Sequence, residues 1–125
     1  MDTSDRAARL KRLFGLEIAR IVRHMQERRE FLVTTWSRAR AREPFVETLF
    51  NRYRTVAASD LILLELPELE AVEAFYEAVD EVGMYFRYTD DMPVMLGDRY
   101  VEHQERLEAR AEEALAALGG GGGGA

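Results

Sequence analysis

The chain has 125 residues, 47% of them apolar and 32% charged, with a formal net charge of −6. This composition fits one folded domain and excludes a disordered chain. The absence of cysteine excludes a disulfide framework, a thiolate metal site and a cysteine nucleophile.

No apolar stretch approaches the ~20 residues that span a bilayer. Arg20 and Arg23 interrupt the best candidate for a signal peptide. A cytoplasmic protein with no membrane contact is therefore expected. The charge is unevenly spread: residues 1–54 hold 13 of the 17 basic residues and 7 of the 23 acidic ones, netting +6, whereas residues 55–125 net −12. Either a basic helix lies against acidic helices of the same domain, or a basic surface awaits an acidic partner or nucleic acid. The internal reading is the simpler.

Prolines at 44, 67 and 93 divide the chain. From about Ser4 to Arg42, the residues Phe14, Ile18, Ile21, Val22, Met25, Leu32, Trp36 and Ala39 recur on one face of a 100° wheel. This periodicity predicts a first helix about 55 Å long, weakened only near Gly15 or Arg28-Arg29. Arg9, Arg12, Arg20, Arg23 and Arg38 fall on the opposite face and form a candidate basic surface.

Pro44 fits the first turn of a second helix, predicted from about Pro44 to Ala58, with Val46, Leu49, Phe50, Tyr53, Val56 and Ala57 as its buried stripe. Ser59 or Asp60 can cap a short helical turn through Leu61–Leu64. A strand there would have no partner elsewhere in the sequence. Pro67 opens a third helix ending near Tyr88, with Glu68 and Glu70 in its positive first turn and Val72, Phe75, Tyr76, Val79, Val82, Gly83 and Phe86 facing inward. After a Thr89-Asp90-Asp91 loop, a fourth helix capped by Asp91 is predicted to about Leu118, with Leu96, Tyr100, Leu107, Ala111, Ala114 and Leu118 as its stripe and Gly119 as its stop.

The fold class expected is all-α: an antiparallel four-helix bundle with a long first helix and a short helical turn before the third. Residues 1–118 form its single domain. The glycine-rich tail 119–125 is expected to be disordered.

Tests for chemistry return little. The two histidines, His24 and His103, lack the Glu-x-x-His spacing of a di-metal bundle site, since Ile21 and Tyr100 stand three residues before them. No metal is expected. Ser4, Ser37 and Ser59 lie in no nucleophile elbow, and no phosphate-binding glycine loop precedes a helix. No cofactor and no catalytic residue is assigned. Asp90 and Asp91 read as a turn and a cap rather than a cation site. Carboxylates crowd the third and fourth helices, which disfavours nucleic acid as the partner.

What remains is apolar residues off the buried stripes: Leu13, Leu16 and Phe31 in the first helix, and Met84, Tyr85 and Tyr88 in the third. These are the candidate interface. The function expected is a non-enzymatic protein–protein interaction module (an adaptor, chaperone or regulator) that self-associates as a homodimer through the first helix, with a protein partner besides. The alternative is a nucleic-acid-associated regulator using the Arg-rich face. An enzyme with an unrecognised site comes third.

Overall fold

The computed structural model describes residues 2–32, 35–36, 41–90 and 93–123. Within them the chain is all-helical, with five helices and no strand: α1 (Thr3–Arg28), α2 (Glu43–Glu47), α3 (Ala58–Leu61), α4 (Leu66–Tyr88) and α5 (Pro93–Gly123). Two 3-10 turns, Arg29–Phe31 and Tyr53–Thr55, lie between them.

Three long helices carry the fold. The Asp2 carboxylate caps α1 by accepting from the Asp5 amide at 2.8 Å. A capping box starts α4, where Glu68 Oε1 accepts from the Glu65 amide at 2.8 Å. Side-chain pairings fix the directions. Glu81 meets Arg106 and Phe86 stacks on Tyr100, so α4 and α5 run antiparallel. Lys11 meets Glu68 and Glu17 meets Tyr76, so α1 and α4 run parallel.

The return from the end of α1 to the start of α4 therefore runs against both. In place of the continuous second helix expected over 44–58, it is broken into α2, the Tyr53–Thr55 turn and α3. Local side chains compete for the backbone there. The Thr48 hydroxyl donates to the Phe45 carbonyl, and Asn51 donates from Nδ2 to the Leu49 carbonyl at 3.0 Å while accepting from the Tyr53 amide at 3.2 Å. Such bonds offer the chain an alternative to the helical ladder. The break turns Phe50 and Ala57, expected inside, outward, and it seats Phe45 in the core.

The regular first helix ends at Arg28, at the Arg28-Arg29 weak point read in the sequence, rather than running unbroken to Arg42, and Leu32 and Trp36 beyond it remain buried. Ala39 and the Asp91 cap lie outside the described residues. The helix α5 continues to Gly123, past the stop expected at Gly119 and into the tail expected to be disordered.

Apart from Val22, which is half-buried, every described residue of the expected first, third and fourth stripes is buried. Two aromatic groups fill the interior. Trp36, Phe45, Phe86 and Tyr100 pack with ring centroids 5.1–6.3 Å apart near the carboxyl ends of α1 and α4. Phe14, Tyr53 and Tyr76 pack midway, with Tyr53 stacked on Tyr76 at 4.4 Å. The Tyr100 hydroxyl donates to the Met25 carbonyl at 2.5 Å, so this buried phenol ties α5 to α1.

Candidate protein-contact surface

The basic half of the chain is partly consumed inside the molecule. Arg6 pairs with Asp60, Lys11 with Glu68 at 2.9 Å and Arg54 with Asp80 at 2.8 Å, each joining the basic first half to the acidic second. The Arg42 guanidinium stacks on the Trp36 ring at 5.4 Å and donates to the carbonyls of Phe86 and Arg87. It thereby covers the negative end of α4.

Within the expected basic face, Arg20 is tied to the fold, donating to the Phe50 carbonyl at 3.1 Å and lying 3.6 Å from Glu17. Arg23 is exposed beside Glu27 at 3.7 Å. Arg9 and Arg12 are exposed with no ion pair among the described residues. Arg38 lies outside the described residues.

Glu17 organises the side of α1 that meets the return segment. Its Oε1 accepts from the Tyr76 hydroxyl at 2.5 Å, and its Oε2 accepts from the Arg52 amide at 3.2 Å. With Arg20 it satisfies backbone groups that the broken second helix leaves free. Burial, the bond to Glu17 and that carboxylate's charge all push the Tyr76 phenol well above its ordinary value. The cluster therefore holds its proton and acts as a clamp.

Above this clamp lies a groove of about 520 Å³ between α1 and residues 50–56. Leu10, Leu13, Phe14, Leu16, Phe50 and Val56 supply its apolar walls, and Glu17, Arg20 and Arg52 its polar edge. Leu13 is 64% exposed, Leu16 54% and Phe50 62%. Two of the six expected interface residues thus meet here. Phe50 joins them, and its exposure followed from the break at Asn51.

The other four are elsewhere. Phe31 stands on the 3-10 turn after α1, exposed and 15 residues beyond Leu16. Met84 and Tyr88 are exposed on the last turns of α4. Tyr85 is half-buried, its ring 5.0 Å from that of His103.

Burial lowers the pKa of His103, with Arg106 adding to the effect. Its Nδ1 is buried with no hydrogen-bond partner among the described residues. Among the described residues, no group of three or more His, Asp or Glu side chains is placed to hold a metal ion, and no helix is long and apolar enough to cross a membrane.

No family model, curated protein or solved structure matches the chain.

Proposed function

We propose that the chain is a non-enzymatic helical protein–protein interaction module, of adaptor, chaperone or regulator type, which self-associates and uses the outer side of α1 as its contact face. In this reading the return segment 43–64 stands as the fourth member of an antiparallel bundle. One observation carries the proposal: Leu13 and Leu16 from α1 and Phe50 from the return segment, all more than half exposed, converge on one groove. Scattered apolar side chains are ordinary on a protein surface. Three large ones gathered from separate segments around a concavity, with Arg20 and Arg52 at its edge, have the composition of a contact site.

The natural absence of cysteine makes the test clean. A thiol-directed photo-crosslinker on Leu13→Cys, irradiated in an extract of the native cells, should give a discrete adduct of higher mass. The same probe on Asp98→Cys, an exposed position on α5, should not. No adduct at position 13, or the same adducts at both positions, overturns the reading. The alternative, a nucleic-acid-associated regulator, draws on Arg9 and Arg12, which are exposed and have no ion pair among the described residues. It requires salt-dependent retention on duplex DNA that is lost when both become Gln.

A further inference from the structure

Leu16 is the crest of a ridge with a groove on either side. One is the groove of about 520 Å³ between α1 and residues 50–56, and the other, of about 760 Å³, lies between α1 and the end of α5. On α1 the apolar crests are set among arginines at helical spacing. Arg9 stands one turn before Leu13, Arg12 one turn before Leu16 and Arg20 one turn after it. Across the smaller groove, Phe50 and Arg52 repeat the pairing of an apolar side chain with a cation.

The charge around the smaller groove is one-sided. Among the described residues, Glu17 is the one carboxylate that lines it. Its oxygens accept from the Tyr76 hydroxyl and the Arg52 amide, and Arg20 lies 3.6 Å away. Arg9, Arg12 and Arg52 are exposed and have no ion pair among the described residues. Asp5 and Glu27 lie towards the two ends of the same face of α1. Neither lines either groove, and Glu27 is paired with Arg23 and Arg28. In a chain with 23 acidic residues against 17 basic ones, three unanswered cations here stand against the overall charge.

We infer that the smaller groove seats a short amphipathic helix of a partner protein, acidic on its flanks. Its apolar stripe lies on Leu13, Leu16 and Phe50, and its carboxylates face Arg52 on one side and Arg9 and Arg12 on the other. The inference rests on the reading of the outer side of α1 as a contact face, and it names the partner's chemistry for this groove alone. From Leu10 to Arg20 the groove follows α1 for about 15 Å, which fits about three turns of helix with anchors at i, i+3 or i+4 and i+7.

A helix fits better than an extended segment because backbone at the groove's edge is already engaged. The Arg52 amide donates to Glu17, and the Phe50 carbonyl accepts from Arg20. An extended peptide would find no ladder there, whereas a helix satisfies its own backbone. Carboxylates on the occupant answer the exposed cations. Nucleic acid would meet the same cations, but Leu13, Leu16 and Phe50 would then stand among its phosphates. The acidic helices of a second copy keep their apolar stripes, Phe75 to Phe86 in α4 and Leu96 to Leu118 in α5, inside their own fold.

The test uses the full chain and two fluorescein-labelled peptides, each stapled as a helix of about three turns so that neither has to fold on binding. One carries Leu anchors at i, i+4 and i+7 with Glu on both flanks, and its twin carries Lys in place of Glu. Fluorescence anisotropy should give the Glu peptide a dissociation constant of tens of micromolar, an order-of-magnitude choice for a contact of modest affinity. The Lys peptide should bind at least about tenfold more weakly. Arg12→Gln combined with Arg52→Gln should weaken the Glu peptide about tenfold, and Leu13→Ser should weaken it several-fold, with helicity by circular dichroism unchanged in both. Equal affinity for the two peptides, or no saturable binding of the Glu peptide by about 1 mM, overturns the inference. So does displacement of the Glu peptide by duplex DNA, or binding that weakens as the concentration of the chain rises, the mark of a second copy in the groove. The adduct at position 13 is blind to charge. An adduct without preference for the Glu peptide removes the acidic occupant alone, whereas no adduct removes the contact face itself.

Discussion

Glu17 holds the return segment against α1, and its removal should show how much that clamp contributes. The carboxylate accepts from the Tyr76 hydroxyl at 2.5 Å and from the Arg52 amide at 3.2 Å. Tyr76 is 3% exposed, so water has little access to its hydroxyl once the acceptor is gone. A hydrogen bond to a charged group contributes roughly 1.5–3 kcal/mol, and a buried donor left without an acceptor costs about 1–3 kcal/mol. Glu17→Ala should therefore destabilise the fold by about 3 kcal/mol. Tyr76→Phe removes the donor together with its need, and should cost about 1 kcal/mol. In the double variant the hydroxyl is no longer stranded, so the total should fall short of the sum by about 1.5 kcal/mol. The assay is urea unfolding followed by circular dichroism. For a slope of about 1.5 kcal/mol/M the Glu17→Ala midpoint should fall by about 2 M. Single effects that add to within about 0.3–0.5 kcal/mol would refute the coupling. A Glu17→Ala cost below about 1 kcal/mol would refute the clamp.

Gly97 lies inside α5, and among the described residues nothing beyond its own helix backbone comes within 4 Å of where a side-chain methyl would stand. Gly97→Ala should therefore gain about 0.8–1 kcal/mol of helix propensity and raise the melting temperature by about 3–4 °C; an unchanged or lower value counts against a regular helix there. The third prediction concerns His103, whose pKa burial lowers in the fold. Below about pH 6.5 the unfolded chain takes up the proton first, so stability should decline as pH falls from 7 towards the lowered folded value. His103→Leu should flatten that part of a stability–pH profile, and an unchanged slope would remove His103 as its source.

Much of the fold was legible along the chain. A helix exposes its packing pattern in sequence whenever one face is buried and the other is wet. That is why the stripes from Phe14 to Met25, Val72 to Phe86 and Leu96 to Leu118 were readable before any contact was known. First-turn chemistry is equally local, and Pro67 followed by Glu68 and Glu70 placed the start of α4 to within a residue. The second helix was misread for the converse reason. Its apolar spacing is helical, but Thr48 and Asn51 had stronger uses for their side chains, and Glu17 and Arg20, 30 or more residues away, were there to satisfy the backbone groups set free.

The candidate contact surface was legible only in part. Leu13 and Leu16 declared themselves because they are apolar on the polar side of a regular wheel. The position of Phe50 beside them, the separation of Phe31, Met84 and Tyr88 from that groove, and the use of Arg42 to cover the end of α4 depend on which elements meet. The helical class, the long helices' inner faces and the opposed charges of the two halves could be read along the chain, because each is a property of residues close together in it. Tertiary structure alone decided where the chain breaks its helix and which outward residues share a groove, because those outcomes turn on hydrogen bonds and contacts between residues tens of positions apart.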